Sequence, residues 1–157
     1  WAVFDMDGHS HHKQAYEKAD EEVNGKKVQI GFTSRSFEHW LLLHFEKNKT
    51  PFTSSECKDE HKKTLGCNTI QGCKGNTCLV GYLRCHTRLS NYEKSNDAES
   101  LKETMDLLLS PDNLKAAFDN AEWLRTEIKN DEALKNKPCF ELNPYTDVDL
   151  LVKRLIE

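Results

Sequence analysis

The chain opens with a short apolar run, Trp1-Ala2-Val3-Phe4, ended by Asp5-Met6-Asp7-Gly8. A run of that length bounded by a turn predicts a buried strand over 1–5. Lys13 to Val23 has helical composition, and Gly25 is expected to close that helix as a C-terminal glycine. Lys27 to Thr33 alternates weakly and predicts a second strand. Strand, helix and strand between Trp1 and Thr33 make a βαβ unit, which requires a parallel pair joined by a crossover. Because Trp1 already stands inside what reads as a core strand, the chain is expected to be a fragment preceded by further residues.

From Ser36 the period lengthens. Phe37, Trp40, Leu41, His44 and Phe45 fall at i, i+3, i+4, i+7 and i+8, one apolar stripe of a helix. Residues 47–90 break this pattern with scattered Gly, Thr, Ser and Cys, and read as an irregular insertion that needs some staple to hold a shape. Helical order returns over Ser100 to Leu109. Ser110-Pro111 then supplies an N-cap and a first-turn proline for a helix carrying Leu114, Ala117, Phe118, Ala121, Leu124 and Ile128 on one face. Thr146 to Asp149 resembles a capping box with Asp in place of Glu, opening a last helix with Val148, Leu151, Val152 and Leu155 inward. The organisation expected is one α/β domain: a βαβα core over 1–46, a Cys/His-rich insertion over 47–90 and a C-terminal helical part over 91–157.

Composition changes this picture little. The 157 residues are 37 % hydrophobic and 31 % charged, ordinary values for a globular chain that buries one core. No apolar run is long enough to cross a bilayer and no secretory signal is visible, so a cytoplasmic location is the expectation. The net charge of −4 does not suggest a nucleic-acid partner. It hides a local reversal, however: from His61 to Ser90 there is no Asp or Glu. Within that stretch Lys74, Arg84 and Arg88, near Tyr82, are candidates for contact with a nucleic-acid backbone, the alternative being an ordinary solvated loop.

The chemistry with the clearest physical basis is at the end of the first strand. Ligands collect beyond the carboxyl ends of parallel strands. Asp5 and Asp7 stand there two residues apart, and Gly8 lets the backbone turn sharply beside them. Two converging carboxylates repel unless a cation joins them, and hard oxygen ligands suit Mg²⁺ or Mn²⁺. Ser34 and Glu38 follow the second strand and should approach the same edge. A strand-end Asp and a helix-start Glu also arise for structural reasons alone, the latter because the helix dipole favours it. His9 is a further candidate, whereas His11 and His12 read as solvent-facing residues of a helix start. His44 either lines the site or is a hydrogen-bonded core histidine.

Five of the six cysteines fall between Cys57 and Cys85. In a cytoplasmic chain such clustering suggests structural Zn²⁺ rather than disulfides. The candidate ligands are Cys67, Cys73, Cys78, Cys85 and His86, and the spacing has no Cys-x2-Cys knuckle. The competing reading is a set of unpaired thiols.

Two families share the first motif. Val3-Phe4-Asp5-Met6-Asp7-Gly8 resembles the opening motif of haloacid-dehalogenase-type phosphatases, in which Asp5 would be the nucleophile. Against it, His9 stands where that family has Thr or Val, the interval from Asp7 to Thr33 is short, and Asp147 and Asp149 open a helix rather than completing a Mg²⁺ site. The closer resemblance is to the RloB family of the TOPRIM superfamily. It rests on Phe4 to His9, on Ser36-Phe37-Glu38-His39-Trp40-Leu41-Leu42-Leu43-His44-Phe45, and more weakly on Tyr92-Glu93-Lys94 and Asn143-Pro144-Tyr145-Thr146. Arg35-Ser36 departs from it, standing where Asn-Pro or a similar turn belongs.

This resemblance implies a TOPRIM-like parallel sheet flanked by helices, N-terminally truncated, with the family's catalytic Glu upstream of Trp1. It implies metal-dependent phosphodiester cleavage of DNA or RNA, with Asp5, Asp7 and Glu38 catalytic and Gly8, His9, Ser34 and His44 lining the site. It further implies a bacterial phage-defence or abortive-infection role, with an ABC-type ATPase as partner. The alternatives are the phosphatase and a non-catalytic, zinc-stapled binding module.

Overall fold

A computed structural model describes residues 1–6, 10–57, 78–94 and 98–156. The βαβ unit is present as β1 (Ala2–Asp5), α1 (His12–Asp20) and β2 (Ile30–Ser34). The two strands are parallel, in register from Ala2↔Ile30 to Asp5↔Thr33. Gly25 does not cap the helix, which stops at Asp20. Asn24 and Gly25 instead both take positive φ, 54° and 74°, while Val23 and Lys26 exchange backbone hydrogen bonds of 2.9 and 3.1 Å. Asn-Gly is the pair that accepts left-handed backbone at both centres of a tight hairpin turn, and that preference wins here.

The sheet is mixed rather than wholly parallel. A two-residue strand, β3 (Tyr145–Thr146), lies antiparallel against the far side of β2, giving the order β1-β2-β3. Asp147 extends this short ladder. Its N–H donates to the Phe32 carbonyl at 3.0 Å, and its Oδ1 accepts the Phe32 N–H at 2.5 Å. The strand β1, at the edge of the sheet among the described residues, is not buried on both faces: Trp1 and Val3 are about half exposed, while Phe4 on the opposite face packs against Phe32 and Tyr16.

Six α-helices occur among the described residues: α1, then α2 (Glu38–Leu43), α3 (Leu79–His86), α4 (Ala98–Leu108), α5 (Pro111–Asn130) and α6 (Val148–Ile156). The single apolar stripe predicted for α2 understates its burial. Every residue from Glu38 to Leu43 is buried, whereas Phe37, before the first turn, is exposed. A helix buried all round belongs at the centre of a fold, and α2 packs against α3, α5 and β2. The core around it includes Phe52, Leu79, Leu83 and Leu89. The stretch 47–90 therefore supplies a regular helix and core side chains as well as irregular loop.

The α5 helix begins at Pro111 as predicted and buries Ala117, Ala121, Leu124 and Ile128. It also satisfies backbone and charge elsewhere. Asn120 Nδ2 donates to the Leu43 carbonyl at the end of α2 at 2.8 Å, and Asn113 Nδ2 donates to Leu107 O at the end of α4 at 2.8 Å. Arg125 grips Asp149 with two hydrogen bonds, of 2.5 and 2.8 Å, and gives a third to Thr146 O at 2.8 Å. The capping box is therefore only half made. Thr146 Oγ1 accepts the Val148 N–H at 3.3 Å, but the Asp149 carboxylate is engaged by Arg125. Val148 and Asp149 anchor the first turn of α6 in the core, while its last turn runs into solvent, so Leu155 is 74 % exposed rather than inward.

Asp149 is fully buried and Arg125, its closest cation, is partly buried, with Lys153 Nζ farther off at 3.5 Å, and an unmatched buried charge costs more than its pairing gains. Arg125→Met is therefore expected to lower unfolding stability by about 3–5 kcal/mol in urea titrations, and Asp149→Leu in the same chain to restore most of it. A single variant as stable as the parent would refute this.

Candidate functional site

The carboxyl ends of β1 and β2 lie side by side, with the Met6 N–H donating to Thr33 O at 3.2 Å. Asp5 ends β1 half-buried at this edge. Its Oδ2 accepts the Phe37 N–H at 3.2 Å, which ties the carboxylate to the turn joining β2 to α2. Its backbone carbonyl accepts from His12 Nε2 at 3.2 Å, and the His12 ring stacks on Phe4. His12 therefore faces inward, pulled there by the aromatic cluster of Phe4 and Phe32, and only its neighbour His11 is solvent-facing. Asp7, Gly8 and His9 lie outside the described residues.

Past β2 the chain passes through a cis Ser34–Arg35 peptide bond into the turn. Ser34 is completely buried and its hydroxyl has no hydrogen-bond partner; the buried Nε of Arg35 has none either. A buried donor left unsatisfied costs about 1–3 kcal/mol. The next residues are fully matched. Glu38 is 3 % exposed, and its Oε2 accepts from Ser36 Oγ at 2.7 Å. Its Oε1 accepts from Tyr92 OH at 3.0 Å and pairs with Lys94 Nζ at 3.2 Å. Burial, reinforced by the Glu38 charge, raises the Tyr92 phenol pKa and keeps it a donor. Glu38 thus comes to the same edge as Asp5 but spends both oxygens on protein donors, holding the turn whose next N–H reaches Asp5.

The other histidines of α2 face the core. His44 Nδ1 donates to Trp40 O at 3.0 Å and its ring meets the Trp40 ring edge-on at 4.7 Å; burial lowers its pKa. This is the hydrogen-bonded core arrangement. His39 is 1 % exposed, its Nε2 has no partner, and burial lowers its pKa to about 4.

The basic candidates are divided. Arg84 Nε donates to Tyr92 O at 2.5 Å and so braces the segment that holds Glu38. Arg84 and Lys94 also line a cavity of about 240 Å³ with Glu56, Cys57 and Glu93. Arg88 is exposed, and Lys74 lies outside the described residues. Of the cysteine set, buried Cys78 immediately precedes α3 and Cys85 sits in its last turn, where His86 stacks on Tyr82 at 4.3 Å. Cys67 and Cys73 lie outside the described residues. Among the described residues no three His, Cys, Asp or Glu side chains come together as a metal-ligand group.

Reading the sequence by position missed the contacts of Ser36, Tyr92 and Lys94 to Glu38 and the unpartnered Nε of Arg35. Tyr92 and Lys94 carried a signal, since they belong to the motif resemblance. Arg35 carried only that of a departure from the family's pattern.

The RloB family model, described as RloB-like protein, matches residues 1–155. The chain belongs to the RloB-like family. No curated protein and no solved structure matches it.

The depressed pKa of His39 makes stability depend on pH. The unfolded chain takes up a proton from about pH 6.5 downward that the native state refuses until about pH 4. The stabilisation is complete above the first value and drains away as the pH falls toward the second, by about 1.4 kcal/mol per unit. His44, shifted in the same direction, adds to this, whereas burial raises the Asp147 pKa and works oppositely. His39→Gln should flatten the dependence of the urea midpoint between pH 6.5 and 4.5, read as the difference from the parent. Identical slopes for the two chains would exclude His39 as the cause.

Proposed function

We propose that this protein is a metal-dependent nuclease of the TOPRIM type, hydrolysing phosphodiester bonds of DNA or RNA, with Asp5 and Asp7 holding Mg²⁺ or Mn²⁺. The observation that carries the reading is the Asp5 carboxylate, placed at the carboxyl edge of a parallel strand pair and oriented by one backbone N–H on Oδ2. The donor chemistry fits a hard cation: a half-buried carboxylate, with the unpartnered Ser34 hydroxyl on the neighbouring strand end. Bound there, the ion would polarise the scissile phosphate and lower the pKa of an attacking water.

The chain's own contribution is preorganisation. The Phe37 N–H limits the Asp5 carboxylate to one orientation, and Ser36, Tyr92 and Lys94 fix the turn that presents this N–H through Glu38. The phosphatase alternative needs a second acidic pair free to complete its site. Asp147 is engaged by the Phe32 N–H and Asp149 by Arg125, which favours the nuclease. On the family resemblance, such an enzyme would act in a bacterial phage-defence system beside an ABC-type ATPase. Cys78 and Cys85 stand at the two ends of α3, about 10 Å apart along its axis, too far to share one ion, so a structural Zn²⁺ would draw on one end of the helix, Cys78 or the Cys85 and His86 pair, together with Cys67 and Cys73.

Labelled DNA and RNA incubated with the full-length protein and Mg²⁺ or Mn²⁺ should be cleaved, and not in EDTA. Asp5→Asn should reduce cleavage roughly 100-fold or more, since even losing a partner of a metal ligand costs 10–100-fold, and should weaken Mn²⁺ binding in calorimetry. Cleavage that persists in EDTA or is untouched by Asp5→Asn would overturn the proposal.

A further inference from the structure

We infer that Arg35 is the residue that grips the phosphodiester of the nucleic acid at the Asp5 edge. This assignment rests on the nuclease reading and adds the group that binds the substrate's charge.

The first ground is position. Arg35 directly follows β2, two residues before the Phe37 N–H that holds the Asp5 carboxylate at 3.2 Å. A carboxylate edge repels a phosphate, so a substrate that approaches Asp5 needs a fixed cation in the same turn.

The second ground is what the neighbouring charges are doing. Lys94 is paired with Glu38, and Arg84 gives its Nε to Tyr92 O. Arg125, on the other side of β3, is held by Asp149 and Thr146 O. Arg35 has no ion-pair partner among the described residues, and its Nε is buried without an acceptor. A guanidinium is always charged and carries five N–H donors in a rigid planar fork that matches phosphate oxygens two at a time. Burying part of that fork unmatched is unfavourable in the free protein, and an arriving phosphate oxygen would supply the acceptor.

The third ground is Ser34. It is adjacent in sequence, completely buried, and its hydroxyl is likewise unpartnered. Two consecutive side chains with unmet donors at one strand end contrast with the residues after them, where Ser36 and Glu38 are fully matched. Tyr16 OH and His39 Nε2 are also buried without a partner, but of these four groups only Arg35 carries a permanent charge.

Binding without cleavage isolates this role. Fluorescence anisotropy with short fluorescein-labelled DNA and RNA oligonucleotides, in EDTA, should show Arg35→Gln weakening binding roughly tenfold and reducing the slope of log affinity against log salt by about 1. Arg35→Lys keeps the charge but loses the fork, so it should keep the salt slope and still bind more weakly. Asp5→Asn should bind at least as tightly as the parent while losing cleavage. Parental affinity and salt slope in both Arg35 variants would overturn the assignment even if Asp5-dependent cleavage stands. Conversely, an Arg35 effect on binding in a chain that cleaves nothing with either metal would keep the phosphate contact and remove the nuclease reading.

Discussion

A carboxylate buried at the start of a hydrophobic helix sets the terms for the rest of this molecule. Glu38 begins α2, whose remaining positions pack against neighbours on all sides, and at 3 % exposure its charge cannot be left to water. It survives only because donors arrive from two separate segments. Ser36 comes from the turn before the helix; Tyr92 and Lys94 come from the chain beyond α3. Meeting the second demand requires α3 to lie against α2, and Leu79 and Leu83 supply the apolar contact that does so. Meeting the first demand fixes the turn, and with it the Phe37 N–H that orients Asp5. Core packing and site geometry are thus joined through one side chain.

The opposite end of α2 is settled by a different device. A helix that ends in the core leaves carbonyls without partners, and the Leu43 carbonyl is taken by Asn120 of α5. The same helix carries Arg125 to Asp149 and Thr146 O, so α5 holds α2, β3 and the start of α6 at once. Through Asp147, which meets both the N–H and the carbonyl of Phe32, that hold extends to the central strand β2. The strand end carrying Ser34 is therefore fixed from the β3 side while Asp5 approaches it from β1.

What could be read from the chain alone follows from how far each signal reaches. The βαβ unit and α5 are written in local period, and they appear close to where that period places them, although α1 stops three residues short and Ser110 makes no side-chain cap bond. The topology in turn puts Asp5, Ser34 and Glu38 at one edge without any knowledge of side chains. Features that depend on distant partners were not legible. The two-residue β3 has no period, α2 looks one-sided until α3 and α5 close over it, and Leu155 is apolar yet exposed because only the first turn of α6 is anchored. Asn24-Gly25 was legible but assigned to the wrong rule, a helix end instead of a tight turn. His12 was misjudged for a related reason: nothing local shows that Phe4 and Phe32 provide an aromatic surface for it.

The distribution of satisfied and unsatisfied polar groups separates architecture from chemistry at the strand edge. Asn113, Asn120, Arg125, Asp149 and Glu38 are all deep and all matched, and each joins two elements. Groups like these are explained by the fold itself. The Ser34 hydroxyl and the Nε of Arg35 are buried and unmatched, next to the turn that touches Asp5. His39 is the instructive contrast. It too has an unpartnered nitrogen, but it stands alone within α2 with a pKa driven down to about 4, so it is a neutral ring filling space. A neutral imidazole tolerates that isolation at modest cost, whereas a guanidinium cannot shed its charge to do the same. It is this permanent charge that would make the turn beside Asp5 favour an anion.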